Sequence, residues 1–197
     1  MTQTVMATAL ANQLLTLEEF YNYDDGSDIR YELVDGELIA MPTESPANCT
    51  VARRLFAQLL KLIPIEWLSY KEIMLEVSGR RAKVRIPDMM ILGEECYAAI
   101  KDQSRGIITQ DMPSPLIAIE VVSTGRVNES RDYRYKRSEY AVRGIAEYWI
   151  VDPSQRKFTV LTLVEGFYEE VIYGLDDTFR SGIFPELEVK ISDILNV

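Results

Sequence analysis

Leu116-Ile117-Ala118-Ile119-Glu120-Val121-Val122 is an almost unbroken apolar run, and Glu147-Tyr148-Trp149-Ile150-Val151-Asp152 is a second. Runs of this length and composition predict central strands covered on both faces. Between them Asn128 offers a helix cap, Glu129 to Arg143 can form the helix, and Gly144 supplies its stop. Strand, helix, strand with so long a connection predicts one parallel βαβ crossover. The expected class follows: an α/β (α+β) fold in which a mixed β-sheet is flanked by helices.

The flanking chain adds antiparallel pieces. Thr16-Leu17-Glu18-Glu19 has the spacing of a capping box and predicts a short helix ending by Tyr23 to Gly26. Two apolar-alternating runs over Tyr31 to Ala40 surround Asp35-Gly36, which predicts an N-terminal hairpin. Ser45-Pro46 offers a cap and a first-turn proline, and Val51, Leu55, Phe56, Leu59, Leu60, Leu62 and Ile63 recur at helical spacing before Pro64. Residues Lys71 to Ser78 alternate, Gly79-Arg80-Arg81 turns, and Val84 to Leu92 returns, so a second hairpin is expected with Asp88 on its return strand. Gly93 to Pro115 reads as irregular or weakly helical. Beyond Pro153-Ser154, Phe158 to Val164 is a returning strand; Phe167 to Tyr173 and Gly182 to Val189 read as edge strands, with a short turn from Ser192.

A chain of 197 residues, 47% hydrophobic and 26% charged, suits one domain over 16–197 behind a flexible tail at 1–15. Met1 to Leu15 has neither a positively charged start nor an apolar run of spanning length, so a cytoplasmic protein with no membrane partner is expected. Cys49 and Cys96 lie far apart and outside any metal-ligand spacing, which predicts two free thiols. Trp67 and Trp149 read as core or interface residues. The chain has no histidine, which excludes Ser-His-Asp triads, Cys-His pairs and histidine-bound zinc. Catalysis would rest on carboxylates, lysine, tyrosine or an ion. The net charge of -10 is uneven: 1–48 holds nine acids and one cation, 152–197 nine acids and four cations, and 49–151 thirteen acids and sixteen cations. A local basic face can bind phosphate even on an acidic protein.

Glu120 is the anomaly of the central strand. An acid among such apolar neighbours must be compensated by a cation, a metal or a proton. If Asp88 lies on a neighbouring strand, both acids can reach one ion, and their hard oxygen donors suit magnesium, with manganese as a substitute. Each acid taken singly reads more simply as a solvated cap or an ion-pair partner. In the following helix Tyr133, Lys136 and Tyr140 share a face that can aim a lysine at the sheet. There it could orient the attacking water and steady phosphate charge. The simpler account is an Asp132–Lys136 salt bridge on a solvated face.

Tyr31-Glu32-Leu33-Val34-Asp35-Gly36-Glu37, Pro87-Asp88, Glu120-Val121-Val122-Ser123, Lys136 with Tyr140, and Gly144 with Glu147 to Asp152 follow one another in an order that resembles the bacterial restriction-endonuclease-like family of the PD-(D/E)XK nuclease superfamily. The likeness spans Leu15 to Ile194. It implies a restriction-endonuclease-like fold, a divalent ion and hydrolysis of DNA phosphodiester bonds. By position, Asp88 and Glu120 would be the metal-binding acids. The superfamily lysine stands two residues past the glutamate, where this chain has Val122, so Lys136 would replace it from the next helix. Glu32 resembles an additional superfamily acid, though a structural role suits it as well. Arg80, Arg81, Lys83, Ser123, Arg126, Arg131, Arg134 and Arg137 are candidate phosphate contacts, with solvated surface charge the simpler account of each alone. The leading expectation is a magnesium-dependent endodeoxyribonuclease, a homodimer being compatible with it. The alternative is a catalytically inactive member serving as a nucleic-acid-binding or protein-interaction module; paired-acid chemistry on a sugar has no particular support.

Overall fold

The computed structural model describes residues 14–81, 83–123 and 131–196. Thr16 and Glu19 form the expected capping box, the threonine side chain accepting from Glu19 N–H at 3.2 Å and the Glu19 carboxylate accepting from Thr16 N–H at 2.8 Å, to start α1 (Leu17–Tyr21). Next come β1 (Tyr31–Val34) and β2 (Glu37–Ala40), turned by Asp35 and Gly36 at φ 51° and 92°. Positive φ at both central residues is what a tight hairpin needs. Ser45 caps α2 (Pro46–Leu59), whose Val51, Ala52, Leu55 and Leu59 are buried. A 3₁₀ turn (Ile65–Trp67) leads to β3 (Leu68–Ser69), β4 (Met74–Glu76), β5 (Val84–Arg85), β6 (Met89–Ile91), α3 (Glu94–Ile100), β7 (Ile107–Ile108) and β8 (Ile117–Val121). A π-helical turn (Arg131–Tyr135) runs into α4 (Lys136–Arg143), which Gly144 ends in the left-handed conformation. The chain closes with β9 (Glu147–Asp152), β10 (Lys157–Val164), β11 (Phe167–Tyr173), β12 (Thr178–Arg180), β13 (Glu188–Lys190) and α5 (Ile191–Leu195). The predicted cap at Asn128 and helix start at Glu129 lie outside the described residues, as do Met1 to Gln13 of the predicted tail.

The predicted crossover is present: β8 and β9 are parallel, with Glu120 opposite Ile150, and α4 connects them. One correction concerns the sheet. Among the described residues the strands form two larger sheets, ordered β2-β1-β5-β4-β7 and β11-β10-β9-β8-β6-β3, and a β12-β13 ribbon. The second hairpin exists only as β4 with β5, where Glu76 faces Val84. Pro87 then removes a ladder donor, and the chain passes into the other sheet as β6, antiparallel to β8. Asp88 therefore stands where the chain crosses between sheets, not on the hairpin's return strand. The sheet also gains a parallel pair, β4 with β7, from the segment read as irregular. Of the strand expected over Gly182 to Val189 only the end forms, as β13, and its partner β12 precedes Gly182.

Alternation along β8 sorts its residues between two cores. Ile117, Ile119 and Val121 join Trp149, Phe158 and the buried faces of α2 and α5. Ala118 and Val122 join Tyr148, Ile150, Tyr140 of α4 and Cys96 of α3. Glu120 therefore faces the α4 side. Trp149 is fully buried, its ring centroid 5.0 Å from that of Phe179. Cys96 is buried, Cys49 half-buried, and both are free thiols. Among the described residues no helix is long and apolar enough to cross a membrane.

Candidate active site

Lys136 opens α4 and turns inward. Its ammonium lies 2.8 Å from Glu120 Oε1, 3.3 Å from Asp132 Oδ1 and 4.0 Å from Glu32 Oε1. One turn later Tyr140 donates its hydroxyl to the same Glu120 oxygen at 2.8 Å. The Asp132–Lys136 pair expected on a solvated face does form, but inside: the two residues are 1% and 2% exposed. The spacing is that of a surface pair, while the face it occupies is the one covering β8.

Asp88 comes from the opposite direction. Since Met89 faces Ile119 in the antiparallel ladder, the next register position sets Asp88 against Glu120. Its Oδ2 accepts the Val121 N–H at 2.6 Å and its Oδ1 lies 3.0 Å from Lys71 Nζ. Lys71 also reaches Glu44 Oε1 at 3.2 Å, and its backbone sits at φ 59°, an uncommon conformation for a side-chain-bearing residue. Asn48, buried in the first turn of α2, donates to the Val122 carbonyl at 3.1 Å and to Glu44 Oε2 at 3.3 Å. It ties the Glu44 loop to the end of β8.

Glu32 enters from the first sheet. Its Oε1 accepts the Ile86 N–H at 3.1 Å and its Oε2 accepts from Arg85 Nη1 at 2.9 Å. Arg85 forks onto Glu139 of α4, Nε donating at 2.8 Å and Nη2 at 3.0 Å, and Lys83 adds a contact to Glu139 at 2.9 Å. A chain of alternating charge thus links the two sheets through α4. Glu32, Glu44, Asp88, Glu120, Ser123 and Lys136 all line one pocket of about 20 Å³, room for one ordered water or a small ion.

Burial dominates the electrostatics. It pushes the Glu120 carboxyl up to about 8, with Lys136 opposing and Asp88 reinforcing the rise. Burial likewise raises Asp88 against the pull of Lys71 and Lys136. Burial would lower Lys71, but Asp88 and Glu44 outweigh it and hold the ammonium above its ordinary value. Tyr140, desolvated beside Glu120, is raised well above its ordinary value and stays a hydroxyl donor. Glu120 thus favours a proton even with a lysine 2.8 Å away, because the cost of burying its charge outweighs the attraction of that lysine. Among the described residues no group of three or more acidic, Cys or His side chains is arranged for a metal. Two facing carboxylates with room for water nevertheless fit magnesium, which takes few protein ligands and keeps its waters.

A pH prediction follows. A carboxyl raised on folding binds its proton more tightly in the native state, so its ionisation costs stability as pH rises from the ordinary 4.5 towards about 8. The melting temperature of the metal-free protein should fall over that interval, and Glu120→Gln should flatten part of the fall. A scan of melting temperature against pH checks both.

The proposed phosphate contacts are dispersed. Ser123 lines the acid pocket, 3.5 Å from Asn48 Nδ2. Lys83 is engaged by Glu139 and, at 3.5 Å, Asp35, so its charge serves the network instead of an outer face. Arg137 turns to β11, donating to Glu170 at 3.2 Å and to the Tyr168 carbonyl at 2.9 Å. Arg80 and Arg81 are exposed beside Asp35 and Glu37 at the hairpin ends, away from the acid pocket, and Arg134 is exposed on the turn before α4. Arg126 and the Arg131 side chain lie outside what the structure describes. Lys71, Glu44, Asn48 and the Arg85–Glu139 pair were not among the sequence candidates. Nothing in their local sequence marked them, because each acquires its role from an element far away in the chain.

A family model for Uma2, described as "putative restriction endonuclease", matches residues 17–194. No curated protein matches the chain. Among solved structures the fold is similar to that of a "putative nuclease" belonging to DUF820 from Anabaena variabilis: TM-score 0.67 at 16% identity, covering 92% of this chain and 98% of the other.

Proposed function

From the premise that the chain belongs to the Uma2 family of restriction-endonuclease-like proteins, we propose that it is a divalent-metal-dependent endodeoxyribonuclease with Asp88, Glu120 and Lys136 as its working residues. The observation carrying this reading is the inward lysine: Lys136 is buried at 2.8 Å from Glu120, on the strand facing Asp88. Asp88 and Glu120 would hold magnesium or manganese, which when bound supplies Lewis-acid charge at the scissile phosphate and acidifies water. Lys136 orients the attacking water and sets positive charge where the pentavalent phosphate gathers its negative charge. Tyr140 fixes Glu120 by its hydroxyl, and the Val121 N–H fixes Asp88. Glu32 acts on Lys136 from behind while committed to Arg85, which makes it a positioning residue.

The test is incubation of plasmid and linear DNA with magnesium or manganese. Nicking or cutting that EDTA stops is the expected result; no cleavage of any DNA form with either ion overturns the reading. Lys136→Gln should slow cleavage by about 10²–10⁴-fold, the range for loss of a positioned proton-handling group. A readout apart from activity is the melting temperature: magnesium should raise it more at about pH 8 than at about pH 5, where protons compete for the carboxylates.

One observation favours the inactive module, namely that Lys71 already occupies Asp88 Oδ1. Manganese soaked into crystals discriminates. An ion between Asp88 and Glu120 supports the nuclease, whereas Lys71 unmoved and no ion there supports the module.

A further inference from the structure

We propose that the open cleft between α1 and the acid pocket seats an unpaired nucleobase, so that the protein prefers single-stranded nucleic acid, or a locally opened strand, over intact duplex. The use of that strand rests on the nuclease reading; the binding does not.

The cleft has a volume of about 510 Å³, within the range of small-molecule sites. Phe20, Tyr21, Tyr23 and Tyr31 bring four aromatic rings to it, and Arg30, Arg105 and Lys71 bring three cations against the acids Asp24 and Glu72. Lys71 is paired with Asp88 and Glu44, but Arg30 and Arg105 donate to backbone carbonyls instead of carboxylates and keep positive charge that complements a phosphate backbone. Phe20 is buried with Leu15, Leu33 and Val84, and its role is packing. Tyr21, Tyr23 and Tyr31 are only partly buried. Tyr23 meets Tyr31 edge to face at 5.7 Å and 87°, so the contact takes up a face of only one of the two rings.

These walls are held in place. Tyr21 donates to Glu76 at 2.5 Å and Tyr31 to Asp25 at 2.7 Å. Arg105 donates to the Tyr21 carbonyl and Arg30 to the Lys71 carbonyl, so both guanidinium groups are fixed at the rim. Aromatic faces that are already ordered lose little freedom when a base stacks on them.

The cleft adjoins the acid pocket. Ile86 lines both, and Lys71 lines the cleft while its ammonium lies 3.0 Å from Asp88. A strand whose phosphate lies at Arg30 and Arg105 on the rim would place a neighbouring base among the tyrosines. Bases in a duplex have their faces covered by stacking and cannot enter such a seat, whereas single-stranded recognition combines aromatic platforms with a cationic groove.

The test uses the full chain in EDTA, so that binding is read without cleavage. Fluorescence anisotropy with labelled oligothymidylate should show tighter binding than with a duplex of equal length. Removing a stacking ring should cost single-strand affinity, so Tyr23→Ala should weaken single-strand binding about tenfold, and Tyr23→Phe should restore it. Neither change should alter duplex affinity. A second measurement needs no variant: an oligonucleotide carrying 2-aminopurine should lose emission on binding, as a base stacked on an aromatic ring does. No single-strand binding, equal affinity for duplex, unchanged affinity in Tyr23→Ala, or undiminished emission each overturns the proposal. Failure of the nuclease reading appears separately, as no cleavage when metal is supplied.

Discussion

Replacing Asp88 with Asn should reduce ion-dependent DNA cleavage on the order of 10³-fold or more, and leave the melting temperature unchanged or slightly higher. The first half follows from charge: two carboxylates face each other across β6 and β8, and an amide in place of one removes half the anionic donor set. The second half follows from what Asp88 costs. Burial has already raised its carboxyl, so the ionised form is a burden on the fold. Asparagine is nearly the same shape, and its carbonyl oxygen can still accept the Val121 N–H. Lys71 keeps Glu44 as partner at 3.2 Å. Cleavage kinetics beside a thermal melt measure both halves; a large drop in melting temperature would mean that Asp88 is chiefly structural.

Arg85→Met should have the opposite profile, destabilising the protein by about 3–5 kcal/mol. Arg85 is buried between two buried acids, donating once to Glu32 and twice to Glu139. Methionine fills similar volume but takes the Nη1–H from Glu32 and both guanidinium contacts from Glu139, which keeps Lys83. Breaking a buried charge cluster by removing one member costs more than the cluster contributes when whole, because the partners stay desolvated. Such a loss is a large share of the 5–15 kcal/mol typical of a folded domain. Urea unfolding near neutral pH measures it, and a change below about 1 kcal/mol would show that water reaches the cluster. The same cluster contributes a pH dependence of ordinary sign. Burial alone would raise Glu139, but Arg85 and Lys83 hold it below its ordinary value. Its contribution is therefore present above about 4.5 and lost as pH falls through the lowered value. This opposes the Glu120 effect, and the measured stability maximum should lie between the two.

Local chemistry was legible in the chain. The capping box at Thr16, the Asp35-Gly36 turn, the Ser45 cap with Pro46 and the Gly144 stop each act over a few residues, and each stands where the spacing put it. The alternation that turned Glu120 away from Ile119 and Val121 was also readable, because strand side chains alternate whatever they meet. The division into two sheets was harder to see. Val84 to Leu92 reads as one continuous strand by apolarity, and only the missing N–H of Pro87 hints at the passage from one sheet to the other.

What the sequence by itself determined is the crossover, the face on which Glu120 lies, and the helix that carries Lys136 behind it. Periodicity and turn chemistry are local, and they suffice for those. Tertiary structure alone decided which partners meet. Lys136 and Asp132 have the spacing of a solvated pair, and only the packing of α4 on β8 buries them beside Glu120. Asp88 and Lys71 are paired by strand passage, and Glu32 and Glu139 are joined by an arginine some 50 residues from each. Charge attraction carries no periodic signature along a chain. It becomes specific only where folding removes water and leaves a buried ion no alternative to the few opposite charges packed around it.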